Sequence, residues 1–315
     1  VAAGANSSAA IDQDGLLYVW GNNDNGQLGV DGKIVAYPTL VEALKDNPAT
    51  PNADETILVS AVELSESHTI IIDALTKRAY TWGKNDHNQL GYQQSILNNG
   101  KPMTSPSTEN YAKEAHLVTR DKGDLNFLEV ASGKNHSVGI VIPASEAETA
   151  TQGTVYAWGD NTHGQLGLGD ETEVATPKKL AIANVRQISV GEDHTLFLQM
   201  NGTVYATGNY EHNKLGIYNL SGDLRIPTKV PSFLGASVVA VSAGTNHGLA
   251  LYYTTNAASF GDNSYGQLGN GNLLETTAIQ TVEASGIFDI SAGYNHSMVT
   301  NQTGTLYVFG DNSLG

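Results

Sequence analysis

The chain has 315 residues, 32 Asp and Glu against 16 Lys and Arg, a formal charge of −16, 34 glycines and no cysteine. The missing cysteines exclude a disulfide scaffold, a Cys-ligated zinc site and a thiol nucleophile. The acidic balance opposes broad phosphate-backbone binding, which needs clustered Lys and Arg, and no apolar run reaches the roughly 20 residues of a membrane-spanning helix.

One phrase recurs along the chain: an aromatic residue, Gly, a polar turn, then Gly-Gln-Leu-Gly. Its copies are Tyr18–Gly29, Tyr80–Gly91, Tyr156–Gly167, Tyr205–Gly216, Ala258–Gly269 and Tyr307–Gly315. The fourth copy is worn, with Thr207 at the aromatic position and Lys214 at the Gln position. A second phrase, Gly-x-x-His-Ser/Thr, precedes each copy and supplies His136, His194, His247 and His296. Ser7 replaces the histidine in the first repeat, and Ser65 replaces the glycine before His68 in the second. The glycine after the aromatic falls at 21, 83, 159, 208, 261 and 310, so a unit of about 50 residues is stretched by insertions. The expected repeats are 1–61, 62–129, 130–187, 188–240, 241–289 and a shorter 290–315, in a single domain over 1–315.

Within a unit the pattern reads as strands. Val185–Val190 alternates apolar and polar residues, Thr195–Met200 follows His194, Asn201-Gly202 is a hairpin signal, and Thr203–Thr207 is a third strand. Residues 178–182, after Pro177, are expected as the fourth strand of this unit. No window carries a sustained helical period. Four short antiparallel strands per unit, repeated radially, predict an all-β propeller. Small residues before Gly4, Gly244 and Gly293 suit crowded first strands, and Trp20, Trp82, Trp158, Phe260 and Phe309 suit the wedges between blades.

Together the two phrases resemble the repeats of the regulator of chromosome condensation family, over nearly the whole chain. The resemblance implies a propeller, typically of seven blades, of which about six are represented here. The start at Val1 and the end at Gly315 inside a motif lead us to expect a piece of something longer. The resemblance also raises exchange activity toward a small GTPase. No segment matches the inserted β-wedge of such members, so no residue is carried over from them.

The five histidines of the second phrase recur once per unit, which points to a structural hydrogen bond within each blade rather than a shared metal. His87, His163 and His212 fall in exposed turns, where a pH-sensitive contact is an alternative. The Asn/Asp-rich turns beginning at Asn22, Asp160 and Asp262 resemble calcium loops only faintly and fit left-handed turns. No catalytic, metal or cofactor residues are assigned. Tyr210, Tyr265 and Tyr294, in variable positions of the turns, and Tyr111, in the insertion 93–114, are the candidate partner-binding residues. Insertions 45–56 and 143–152 are further loop candidates. The three tryptophans all sit at the repeat's own core position, which argues against light sensing.

The expected function is a non-catalytic scaffold that binds a protein partner, with no nucleic acid and no membrane insertion. The alternatives are a nucleotide-exchange factor, or a structural array in a larger exported bacterial protein, which would place the chain outside the cytoplasm.

Overall fold

The computed structural model describes residues 1–44, 56–92, 111–120, 124–146, 149–217, 219–233, 237–274 and 278–313. Among these residues the architecture is all-β apart from short single-turn helical segments. Six sheets follow one another along the chain, and within each sheet the described strands pair antiparallel in sequence order. Blade 1 contains β1 (Ala2–Ala3), β2 (Ser7–Ile11), β3 (Leu17–Asn22) and β4 (Ile34–Leu40). Blade 2 contains β5 (Val59–Leu64), β6 (His68–Asp73), β7 (Ala79–Lys84) and β8 (Tyr111–Leu117). Blade 3 contains β9 (Asn126–Ser132), β10 (His136–Ile142), β11 (Thr154–Gly159) and β12 (Val174–Lys179). Blade 4 contains β13 (Val185–Val190), β14 (His194–Gln199), β15 (Val204–Gly208) and β16 (Leu224–Lys229). Blade 5 contains β17 (Val238–Ala243), β18 (His247–Tyr252), β19 (Ala257–Gly261) and β20 (Gln280–Thr281). Blade 6 has three described strands, β21 (Ile287–Ala292), β22 (His296–Asn301) and β23 (Leu306–Gly310).

Two sequence expectations change. The fourth strand expected over 178–182 is the end of β12, and it belongs to the preceding blade: Tyr156 faces Lys179 and Ala157 faces Lys178. The fourth strand of blade 4 is instead β16, with Tyr205 facing Lys229. The chain returns from each Gly-Gln-Leu-Gly loop to its own third strand before it moves on. The repeats bounded at 62, 130, 188, 241 and 290 therefore cut each first strand three or four residues after its start.

Contacts group the chain into two compact units. One comprises Val1–Asp160 with Glu173–Lys179, the other Asn161–Thr172 with Leu180–Gly315. The core of the first includes Leu17, Val19, Leu28, Val62, Ile71 and Trp82. In the second, Leu196, Leu215, Val241, Ala250 and Phe260 share one cluster, and Leu249, Ile287 and Val299 share another. Trp82, Trp158 and Phe260 are fully buried, whereas Trp20 and Phe309 are half-buried. Each fully buried aromatic contributes on the order of 2–3 kcal/mol.

The last glycine of the phrase is explained by this packing. A Cβ on Gly29 would stand 2.8 Å from Trp82 Nε1, and one on Gly91 would stand 2.5 Å from Trp158 Nε1. Gly91 also has φ +72°, in the left-handed region. The indole of one blade thus lies flush on the backbone of the previous blade's loop. Gly91→Ala is expected to cost about 2–3 kcal/mol, since overpacking and an unfavourable φ add. Gly32→Ala, at a positive φ but with its nearest neighbour 3.7 Å away, is expected to cost about 1 kcal/mol. Urea unfolding of the two variants checks the difference.

Candidate functional site

Strand alternation places two turns at the same end of every blade: the Gly-x-x-His turn, after the first strand, and the Gly-Gln-Leu-Gly loop, after the third. Both are built by side chains that satisfy the backbone. In four repeats an asparagine braces the loop by accepting the leucine amide: Asn23 from Leu28 at 2.9 Å, Asn85 from Leu90 at 3.1 Å, Asn161 from Leu166 at 3.0 Å and Asn263 from Leu268 at 3.1 Å. The Gln side chain closes the turn before it. Gln89 Oε1 accepts the His87 amide, Gln165 Oε1 that of His163 and Gln267 Oε1 that of Tyr265, each at 2.9 Å. The Asn/Asp-rich segments are therefore turns. Among the described residues no group of three or more His, Asp or Glu is arranged to hold a metal ion.

His68 makes the structural hydrogen bond expected within its own blade, its Nδ1 lying 2.9 Å from Ser65 Oγ, and His68 and His247 each make a second kind of bond, to the next blade. His68 Nε2 lies 2.8 Å from Ser137 Oγ, and that hydroxyl lies 3.0 Å from the Gln89 carbonyl. His247 Nε2 lies 2.8 Å from Ser297 Oγ, which lies 2.8 Å from the Gln267 carbonyl. A carbonyl only accepts, so the serine proton goes to it and the histidine donates from Nε2. One hydroxyl from the next blade thus ties together the two turns of the blade before. Thr69 makes the same donation to the Gln27 carbonyl, and Thr195 to that of Gln165 at 2.9 Å.

Burial keeps these imidazoles neutral. His68 is pushed down to about 3 by burial and then by the neighbouring His136. Burial lowers His136 to about 4 against the opposing pull of Asp160, and His247 to about 4 against that of Asp262. A folded-state value below the ordinary 6.5 means that the unfolded chain binds more protons in this window. The stability these groups contribute is complete above pH 6.5 and is lost as pH falls toward 4.

The worn fourth repeat is rebuilt. Lys214, in the Gln position, is buried and donates to Asp193 Oδ1 at 2.7 Å and to Asn246 Oδ1 at 2.8 Å. Thr207, in the aromatic position, donates to the Gly164 carbonyl at 2.9 Å. Pro227 of β16 stands 3.1 Å from where a Cβ on Gly167 would be, and so covers the glycine that an aromatic covers elsewhere.

The four candidate tyrosines separate. Tyr265 and Tyr294 are 50% and 53% exposed at the turn ends of blades 5 and 6. Tyr210 stands where other repeats carry the bracing asparagine, and packs half-buried against the cluster of Leu215 and Phe260. Tyr111 begins strand β8, with its backbone paired to Lys84, so it belongs to the sheet rather than to an insertion loop. Residues 93–110 and 45–55 lie outside the described residues. The insertion 143–152 contains a helical turn at Ala144–Glu146 in the hairpin between β10 and β11.

Sequence reasoning missed several exposed apolar residues at the opposite blade ends. Met200 and Tyr253 lie at hairpin tips, and Phe288 is the second residue of β21; Tyr253 is 79% and Phe288 71% exposed. The Tyr252-Tyr253 pair ahead of a Thr-Thr-Asn turn was the available signal. It also missed Glu63, whose carboxyl burial raises to about 7 against the opposing pull of the N-terminal amine. This residue sits where the first strands of other blades carry small residues such as Ala131 and Ser242. In the second unit a groove of about 610 Å³ is lined by Leu273, Val282, Glu283, Leu306, Tyr307 and Phe309.

Two predictions test the bridge. Ser137→Ala leaves both the His68 Nε2–H and the Gln89 carbonyl without this partner and is expected to cost about 2 kcal/mol, while Ser137→Thr restores stability. Urea titration of the pair is the measurement. His68→Ser, which copies the residue at Ser7, is expected to flatten the decline in thermal midpoint between pH 6.5 and 4 relative to the unsubstituted chain.

The model of the RCC1-like domain matches residues 52–315, and that of the regulator of chromosome condensation (RCC1) repeat matches residues 14–72. Among curated proteins, the Arabidopsis thaliana ultraviolet-B receptor UVR8 is 26% identical over 288 residues, covering 90% of this chain and 58% of the receptor. The human probable E3 ubiquitin-protein ligase HERC6 is 32% identical over 272 residues, covering 83% of this chain and 23% of the ligase; human HERC3 is 30% identical over 242 residues, covering 76% and 20%. The chain therefore spans less than two thirds of these relatives. The crystal structure of human WBSCR16 superposes with a TM-score of 0.79 at 22% identity, covering 99% of this chain and 75% of that one. Prp20p from Saccharomyces cerevisiae, reported with its binding properties to Gsp1p and histones, superposes with a TM-score of 0.77 at 20% identity, covering 98% and 70%. These likenesses show the fold, a β-propeller, and with the domain model matching most of its length the chain belongs to the RCC1-like domain family.

Proposed function

We propose that the chain is a non-catalytic protein-interaction scaffold, whose partner is a protein with a basic surface. The observation that carries this reading is the presentation of Tyr265 and Tyr294. Each ring is about half exposed, yet each stands on a turn whose backbone is held from below. The Tyr265 amide is bonded to the buried Gln267 side chain at 2.9 Å, and the Tyr294 carbonyl accepts the Thr245 amide at 3.4 Å. An exposed tyrosine on a preformed turn offers a large contact area at a low ordering cost. The charge of −16 favours rapid encounter with a cationic surface. Trp82 and Trp158 are spent on blade packing, so the reading takes nothing from the receptor's response to ultraviolet light.

The test is affinity capture on the immobilised chain, repeated with Tyr265→Ala/Tyr294→Ala at matched stability. A specific basic protein is expected to be retained by the unsubstituted chain and to bind the variant on the order of tenfold or more weakly. Equal retention by both would sink the proposal. The second reading, exchange activity, draws on the likeness to Prp20p and its Gsp1p binding. It is separated by a nucleotide-release assay with small GTPases, in which no acceleration is expected.

A further inference from the structure

The turn position just before the Gly or Asn of Gly-Gln-Leu-Gly is occupied by Asn25, His87, His163, His212 and Tyr265 in successive repeats. In two of the three repeats that carry histidine, the ring faces a carboxylate of the following blade. His163 Nδ1 lies 2.8 Å from Asp223 Oδ2, ahead of β16 in blade 4. His87 Nδ1 lies 3.5 Å from Glu173 Oε2, just ahead of β12 in blade 3, and the Asn88 amide donates to the same carboxylate. The packing of blades sets this geometry twice, from one turn position.

We infer that His87 and His163 are pH-responsive latches that tie each turn to the next blade more tightly in mild acid than in mild base. Histidine changes charge within the range pH 5 to 8. A charged imidazolium strengthens an existing hydrogen bond to a carboxylate, and the neutral ring keeps only the weaker bond. The surroundings are specific. Around His163 stand Asp223 and the Asn209 amide at 3.5 Å, the latter bonded to Asp193, which pairs with Lys214; Arg225 is paired with Glu171 of the His163 loop. Around His87 stand Glu173 and Asp86, and Asp86 is paired with Lys84. Carboxylates outnumber cations in each set, so protonation relieves repulsion as well as strengthening a bond.

Asp223 provides a reporter, because its second oxygen accepts the Tyr210 amide at 3.1 Å. Hydrogen–deuterium exchange of that amide is measured at pH 6 and pH 8 and corrected for the intrinsic pH dependence. Protection is expected to be roughly two- to fivefold greater at pH 6, the range of a partly exposed ion pair. In His163→Asn, which places at this turn the residue that Asn25 supplies in the first repeat, the two pH values are expected to give equal protection. The same pH ratio in both proteins, or no ratio in either, would overturn the inference. Because no partner is present in this measurement, its failure is distinguishable from failure of the proposed docking function.

Discussion

A single hydroxyl that satisfies two groups of the preceding blade is the constraint on which the repeat depends. Ser137 accepts from His68 and donates to Gln89; Ser297 does the same for His247 and Gln267. Each bridge joins the Gly-x-x-His turn to the Gly-Gln-Leu-Gly loop through an atom that belongs to neither. Two phrases far apart in sequence are therefore coupled chemically. Altering the histidine, the hydroxyl or the loop path leaves a buried polar group unmatched, at a cost comparable to a lost hydrogen bond or more. The glycine of the turn serves the same contact at His247: a Cβ on Gly244 would stand 2.3 Å from His247 Cε1 and 2.5 Å from the Gly293 carbonyl of the next blade, whereas Ser65 at the equivalent position bonds His68 Nδ1 instead.

The fourth repeat shows which parts of this arrangement can be exchanged. Four consensus positions are altered, at Thr207, Tyr210, Asn213 and Lys214, yet the blade keeps its four strands, with β15 in register with β14 and β16. Lys214 replaces a neutral amide with a buried cation, which is tolerable because Asp193 and Asn246 meet it at hydrogen-bond distance. Thr207 and Pro227 divide the work of the missing aromatic. The hydroxyl at Thr195 is unchanged and still donates to Gln165, as its counterparts do in other repeats. Substitution has gone furthest where a local rearrangement can compensate and least where one atom serves neighbouring blades.

These relations explain what could be read from the sequence. The blade count, the order of the first three strands of a blade and the left-handed turns follow from residues whose roles are local: Gly202 in its hairpin, Asn88 and Asn213 at positive φ in place of the motif glycine. The bond of His68 to Ser65 in its own blade was legible; its second bond was hidden, because the sequence separates His68 from Ser137 by 69 residues and nothing local says which hydroxyl it meets. The assignment of β12 to the earlier blade was obscured by the same ambiguity: a short extended segment between two blades pairs with whichever edge the preceding loop leads it to. Tyr210, apparently a variable turn residue, reads differently once it is aligned with Asn23, Asn161 and Asn263, which are brace positions rather than display positions.

Display falls instead to positions that the scaffold leaves chemically unassigned. In four repeats the residue before the motif glycine or asparagine has its amide tied to a glutamine side chain, while its own side chain projects toward the next blade or into solvent. Asparagine, histidine and tyrosine all satisfy the turn there, so the turn itself does not dictate their choice. Histidine at two of these positions turns toward a neighbouring carboxylate, and Tyr265 stands half in water. A scaffold that fixes the backbone so completely makes side-chain identity at this one position an independent variable, and that independence lets a repeat built for packing carry a recognition surface.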